Sequence, residues 1–290
     1  MRVAMTLDDL PLWQDSYPPE GYTAGSIMQR ISSALSSNGI HGVYGFSNSW
    51  AIAKHPELAE AMDRWVASGH YIGNHTHVHS ELPDVDALTY CRDIDQADDC
   101  LAPWLDRSPA RYFRHPLCYW GETAEKRDVV ARHLAKRGYR VADVSTWLFE
   151  WVWNRAWRNA RERNDHATMT WLEHAFVDAA VVQLHYDHAS LKDWFGREVP
   201  GIALGHTLPF FAEVAATLFE RFIEAGVVFI QLEEAMADPA YREVGSVVSD
   251  TFLVFQQKLA HAAGRPMREI APDISAVHRR VVAMAGDRRD

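Results

Sequence analysis

Short apolar runs alternate along the chain with longer stretches whose apolar positions recur every three or four residues, the pattern of parallel strands joined by helices. Strands are predicted over residues 2–7, 42–46, 71–74, 111–114, 139–143, 201–206 and 227–232. Helices are predicted over 26–38, 56–68, 85–105, 123–137 and 209–224, with Gly39, Gly69, Gly138 and Gly226 where left-handed C-caps are needed. Seven strand-helix units at most make a closed or nearly closed α/β barrel more natural than a long open sheet. The polar clusters described below all fall at C-terminal ends of strands, which gather at one mouth in a parallel barrel.

The segment 147–196 interrupts the alternation. Two helices fit it, 147–164 and 168–195, the second with Leu172, Phe176, Ala179 and Leu191 at helical spacing. Six of the eleven tryptophans lie here. Trp147 and Trp151 share one face of the first helix and Trp153 and Trp157 another, so this helix is expected to pack on two sides. Most of these aromatics read as core, with a minority lining a pocket. A helix over 247–263 is expected beyond Asp238, and the Arg-rich last twenty or so residues read as a mobile tail or interaction arm. The expected division is a barrel over 1–237, with its helical insertion at 147–196, and a C-terminal helical extension over 238–290.

Composition narrows the function. The 290 residues, 48% of them apolar, can bury a full core. A net charge of -10 without Lys/Arg clusters argues against a nucleic-acid partner and disfavours an anionic polymer. Cys91, Cys100 and Cys118 lack a C-x-x-C spacing and read as reduced thiols. No secretory pattern precedes the first strand, and no run approaches the ~18–20 apolar residues of a membrane span. With Met1 as the natural start, the expected location is the cytoplasm.

Two clusters carry chemistry. Thr6-Leu7-Asp8-Asp9 closes the first strand, where a turn can bring both carboxylates to the mouth. Two such neighbours repel unless one is neutralised, and a metal on one with a proton on the other satisfies that condition. A bare Asp-Asp pair is otherwise a solvated turn, a reading that the apolar strand before it weakens. Asn74-His75-Thr76-His77-Val78-His79 follows the strand at 71–74. His75 and His79, at i and i+4, would lie on one face of a helical turn as two ligands of a single ion, leaving His77 behind the ligands or facing substrate.

These two motifs resemble the first two of the polysaccharide deacetylase family (NodB homology, carbohydrate esterase family 4). The resemblance covers roughly residues 1–237. It implies a distorted (β/α) barrel with a divalent metal at its mouth, Asp8 as general base, and Asp9, His75 and His79 as metal ligands. Arg114-His115-Pro116-Leu117 is similar to the family's Arg-x-Pro segment, which implies that Arg114 orients the base and that the Leu117 N–H joins an oxyanion site. Asp143-Val144-Ser145-Thr146-Trp147 resembles Asp-x-x-Asp-Trp with Thr146 in place of the second acid. Asp143 would then tune the catalytic histidine, its plainer reading being a helix cap. Leu204-Gly205-His206 matches the final Leu-x-His motif, whereas Leu184-His185 lacks the gap and falls inside a helical pattern. His206 is therefore the candidate acid and Leu204 a wall for a small acyl methyl. Trp147, His77 and Tyr119 are further candidate substrate contacts. Leu10, His115 and Leu117 depart from the family's usual Gly, Pro and aromatic, and the stretch between Asp143 and His206 is longer than usual.

The expected reaction removes an acyl group, acetyl in the first instance, from the nitrogen of an N-acylated sugar or small biosynthetic intermediate. Two histidines and an aspartate leave coordination positions open, and zinc suits such a set, with cobalt, nickel or iron as alternatives. A deformylase, ester or cyclic-amide hydrolase could use the same residues. A carbohydrate-binding barrel with an idle metal would leave Asp8 and His206 without a task.

Overall fold

A computed structural model of the chain describes residues 1–13, 18–265 and 267–286, with the backbone alone at 243–246. The elements run β1 (Arg2–Leu10), α1 (Ala24–Ser37), β2 (Tyr44–Ser47), α2 (Trp50–Lys54), α3 (Ala59–Ala67), β3 (Tyr71–Asn74), α4 (Ala87–Leu105), β4 (Tyr112–Phe113), α5 (Ala124–Lys136) and β5 (Arg140–Val141). Then follow β6 (Thr146–Trp147), α6 (Glu150–Glu162), α7 (His166–Phe195), β7 (Gly201–His206), α8 (Pro209–Glu224), β8 (Val228–Ile230), α9 (Leu232–Met236), α10 (Phe255–Ala262) and α11 (Ser275–Ala285).

Seven parallel strands follow the order β5-β4-β3-β2-β1-β7-β6, and β8 joins β1. On one edge of β1, β8 pairs with Arg2 to Ala4 and β2 with Thr6 onward, while β7 takes the other edge. This is the distorted (β/α) barrel that the resemblance implies, in line with the closed or nearly closed barrel expected from the strand-helix alternation. A central strand covered on both faces has to be apolar throughout, which is why Val3 to Leu7 reads as a continuous run.

Side-chain alternation along the strands then places the chemistry. Val3, Met5 and Leu7 of β1 face outward into the helix layer with Ile27, Ile31, Phe211 and Phe219. Ala4 faces inward with Tyr44, Phe46, Tyr112 and Ile202. Continuing the period of two, Thr6 and Asp8 of β1, Leu204 and His206 of β7, and Arg114 just past β4 also point inward, at the C-terminal mouth. The interior is tight: a Cβ at Gly73 would lie 2.5 Å from the Phe46 ring and 3.1 Å from the Tyr112 carbonyl oxygen.

Several sequence expectations are corrected. The first inserted helix begins at Glu150, because Thr146 and Trp147 form a strand against β7. The predicted helix over 247–263 shrinks to α10. The predicted tail holds helix α11, tied to α6 by Arg155 Nη2 and Asn159 Nδ2, which donate to main-chain oxygens at Met284, Ala285 and Gly286. The end of that tail, 287–290, lies outside the described residues. No helix among the described residues is long and apolar enough to cross a membrane.

Candidate active site

Asp8 and Asp9 reach the mouth together through a bulge. Asp8 pairs with Phe46 and Leu10 with Ser47, so Asp9 is the extra residue, and it takes a φ of 64°. The pleat would otherwise turn adjacent side chains to opposite faces. Thr207 holds the distorted backbone by donating its N–H to the Asp8 carbonyl at 3.3 Å and its hydroxyl to the Asp9 carbonyl at 2.8 Å.

The histidine segment is a folded loop and not the helical turn that the i, i+4 spacing suggests. Thr76 and His79 both have left-handed backbones, with φ of 65° and 59°. The Asn74 side chain accepts from the Thr76 N–H at 2.9 Å, and Asp93 of α4 accepts from the N–H groups of Val78 and Ser80 at 3.1 and 3.4 Å. The result brings the His75 and His79 rings to 4.9 Å between centroids. His75 Nδ1 donates to the Arg114 carbonyl at 2.8 Å, which fixes the tautomer and leaves Nε2 as a free lone pair. His77 is directed elsewhere: its Nδ1 lies 2.7 Å from Ser49 Oγ.

Asp9, His75 and His79 present ligand atoms within 4.8 Å of one another. Asp9 Oδ1 lies 3.8 Å from His75 Nε2 and 3.7 Å from His79 Nε2. Those separations exceed a hydrogen bond and approach the roughly 3.3–3.6 Å between neighbouring ligands of a tetrahedral ion bound at about 2.0–2.2 Å. Asp9 Oδ1 is buried and has no hydrogen-bond partner. Burial holds His75 down to about 3 and His79 well below the ordinary range, so both imidazoles are neutral, as ligation requires. Burial also pushes Asp9 up to about 7, with Asp8 and Glu150 adding to the rise and His206 opposing it. An orphaned carboxylate oxygen facing two neutral imidazoles fits a divalent cation.

Asp8 and His206 flank this group. Arg114, fully buried, donates from Nη1 to Asp8 Oδ1 and Thr6 Oγ1, each at 2.8 Å, and from Nε to the Ala142 carbonyl at 2.9 Å. Burial raises the Asp8 pKa, against the lowering pull of Arg114 and His206. His206 Nε2 stands 3.9 Å from Asp9 Oδ2, and its Nδ1 donates to Glu150 Oε1 at 2.5 Å. Asp143 therefore does not serve His206. Its carboxylate accepts from Lys258 Nζ at 2.7 Å and from the Val144 N–H at 2.9 Å. Sequence reasoning missed Glu150: it follows Phe149, whose φ of 57° turns the chain so that the first residue of α6 points into the barrel.

The remaining candidates lie at or just beyond the C-terminal ends of β4, β6 and β7. Leu117 and Cys118 form a turn beyond β4 with consecutive left-handed backbones, φ 50° and 57°, and half-buried Tyr119 follows. Leu204 packs with Cys118, Val144, Trp147, Phe149 and Val254. The Trp147 ring lies 6.5 Å from that of His206 and 3.5 Å from Phe252, and its buried indole N–H has no hydrogen-bond partner. Across the mouth, Trp13 meets His79 edge to face at 4.3 Å. Phe252 and Trp13 carried no sequence signal beyond being aromatic.

A family model described as polysaccharide deacetylase matches residues 1–143. A curated chitin deacetylase from Arthroderma benhamiae is 27% identical over 143 residues, 49% of this chain. The match spans only 33% of that protein's length. Among solved structures, a family 4 carbohydrate esterase from Streptomyces lividans, in complex with acetate, aligns with a TM-score of 0.50 and 19% identity over 80% of this chain and 94% of the other. A mutant of a family 4 pseudoenzyme, a protein from Bacillus anthracis, aligns with a TM-score of 0.54 and 12% identity over 81% and 66%. At these identities the structural matches establish the fold.

Proposed function

We propose that this chain, whose residues 1–143 match the polysaccharide deacetylase family model, is a metal-dependent hydrolase that removes an acyl group, acetyl in the first instance, from an amide nitrogen. The observation that carries this reading is the orphaned Asp9 Oδ1 facing the neutral His75 and His79, with Asp8 3.7 Å from His75 and His206 3.9 Å from Asp9. Asp9, His75 and His79 would hold the ion, zinc being the first choice for this ligand set. A divalent cation there supplies a Lewis acid for the acyl carbonyl and a water of lowered pKa.

The chain's own groups supply the rest. Asp8, oriented by Arg114, takes the proton from the attacking water. The Leu117 N–H donates to the oxygen on which negative charge develops. Protonated His206, held by Glu150, gives its Nε2 proton to the departing nitrogen, which amide cleavage requires because an amide anion is a poor leaving group. Trp147, Leu204 and Tyr119 form the walls. His77, bonded to Ser49, supports the loop of its neighbours.

The substrate proposed is a small N-acylated amine, a sugar derivative in the first instance. Side-chain exposure is 4% at Asp8, 2% at His75, 10% at Asp9 and 16% at His206. Trp147, Phe149 and Phe252 crowd one side of that narrow opening. Such an opening suits a compact molecule better than a continuous polymer.

The test is a screen for acetate and formate release over N-acylated sugars, other small N-acyl compounds and polymers, with metal-loaded protein. Asp8→Asn and His206→Ala should each lower kcat by about 10²-fold or more. Turnover unchanged in both variants would overturn the mechanism. Binding of sugars by a wild-type protein without turnover would favour an idle barrel, and polymers turned over faster than mono- or disaccharides would overturn the substrate class.

A further inference from the structure

The Pro116–Cys118 turn contains a conformational expense that nothing local explains. Leu117 and Cys118 are consecutive non-glycine residues with left-handed backbones. Each costs of order 1 kcal/mol, and such strain persists only where the surroundings hold it. The turn keeps two local bonds, from Cys118 N–H to the His115 carbonyl at 2.9 Å and from Tyr119 N–H to the Pro116 carbonyl at 3.2 Å.

What holds it from the other side comes from more than 120 residues along the chain. Trp120 N–H donates to the Ser249 carbonyl at 2.8 Å, and Ser249 N–H returns to the Gly121 carbonyl at 2.9 Å, an antiparallel bridge. Val254 packs in one cluster with Cys118 and Val144. Phe255 N–H donates to the Val144 carbonyl at 2.7 Å, and Gln256 Nε2 to the Ser145 carbonyl at 2.8 Å. At the centre is Lys258, 1% exposed on the first turns of α10. Its ammonium lies 2.7 Å from Asp143 Oδ2 and 3.9 Å from the centre of the Trp120 ring. A buried ammonium is costly unless paired, and here the carboxylate and the ring face compensate it together. One cation thus joins three separate stretches: the segment after β5, the segment after the Leu117 turn, and the C-terminal extension.

We propose that Lys258 is a positioning residue of the hydrolytic site: through Asp143 and Trp120, it clamps the strained Leu117 turn so that the Leu117 N–H meets the substrate's developing oxyanion. The C-terminal extension is then part of the active site. The inference rests on the hydrolase reading for the role of that N–H, but the clamp itself is a property of the fold.

The test compares Lys258→Met, Lys258→Arg and the double variant Lys258→Met/Asp143→Asn with the wild type. Three readouts are needed: amide hydrogen exchange at residues 117–120, the split between kcat and KM, and the melting temperature. Lys258→Met should speed exchange in the turn about tenfold while β1 stays protected. It should lower kcat by at least about tenfold, short of the ~10²–10³ lost when an oxyanion donor is deleted outright. KM and metal content should stay within about twofold, since the interaction belongs to the transition state. Lys258→Arg, which keeps the charge, should recover part of kcat. The double variant removes the unpaired carboxylate and should recover melting temperature but not kcat. Unchanged exchange in Lys258→Met overturns the clamp, whatever happens to activity. Raised exchange with unchanged kcat overturns the positioning role, as does a double variant that recovers both stability and kcat. If wild-type protein turns over nothing in the N-acyl screen, the hydrolase reading fails and exchange alone decides whether the clamp exists.

Discussion

Burial makes an imidazolium costly, yet at His206 the carboxylates of Glu150, Asp9 and Asp8 outweigh that cost and raise its pKa to about 9. An acid must be protonated to act, so it works at pH below its own pKa, and raising that value extends activity towards alkaline pH. Glu150→Gln keeps an acceptor for His206 Nδ1 but removes the nearest negative charge. The His206 pKa should then fall, and the alkaline limb of kcat should move towards acid by about one to two pH units, compared at one metal loading. The pH–rate profile and the His206 ring resonances in the metal-free protein check this. An unmoved limb would strip Glu150 of its role. Glu150 was illegible in the sequence because acidic residues are common in the first turn of any helix, where they complement the dipole. Asp143, at a strand end within a family-like motif, carried the visible signal, and Lys258 occupies it.

At the scale of elements, barrel strands are legible and the loops beyond them are not. The sequence places Asp8, Arg114 and His206 at C-terminal strand ends, and along the folded strands their side chains share the interior face with Ala4, Tyr44 and Ile202. The sequence also pairs His75 with His79, but spacing alone is compatible with both a helical turn and a folded loop. Thr76 and His79 have left-handed backbones without being glycine, so no composition rule points to them. What holds that loop is Asp93, nineteen residues beyond Asn74 and on a different element. Asp93→Ala would remove the carboxylate that accepts from the N–H groups of Val78 and Ser80, at a cost of about 1 kcal/mol for each bond lost. It should weaken zinc or cobalt binding about 10- to 100-fold, as loss of a ligand's supporting bond typically does. Isothermal titration of the metal measures this, and an unchanged affinity would mean that the loop holds its own shape.

For the whole molecule, the same physics explains both why the sequence does not announce residues 255–260 as core and why the proposed site would take a cation. Residues 255–260 are all buried, but Gln256, Gln257 and Lys258 are polar, so the apolar rhythm that would announce a core helix is absent. Their buried donors are bonded, the Gln256 side-chain N–H to the Ser145 carbonyl and the Lys258 ammonium to Asp143. Asp9 is the opposite case, a buried carboxylate with an unbonded oxygen beside Asp8 and Glu150. Without a cation, that concentration of negative charge opposes folding. With one, folding is favoured by about 4 kcal/mol when free metal is about 1,000 times its Kd, roughly 8 °C in melting temperature for a chain of this size. Asp9→Asn should therefore act in two directions. It relieves the metal-free protein of a buried charge, so its melting temperature in chelator should equal or exceed that of the wild type. It also removes a ligand, so the rise on adding metal should vanish. Calorimetry of both proteins in chelator and in metal separates the two effects. A variant that melts lower in chelator, or that keeps the metal-dependent rise, would place the cation at residues other than Asp9, His75 and His79.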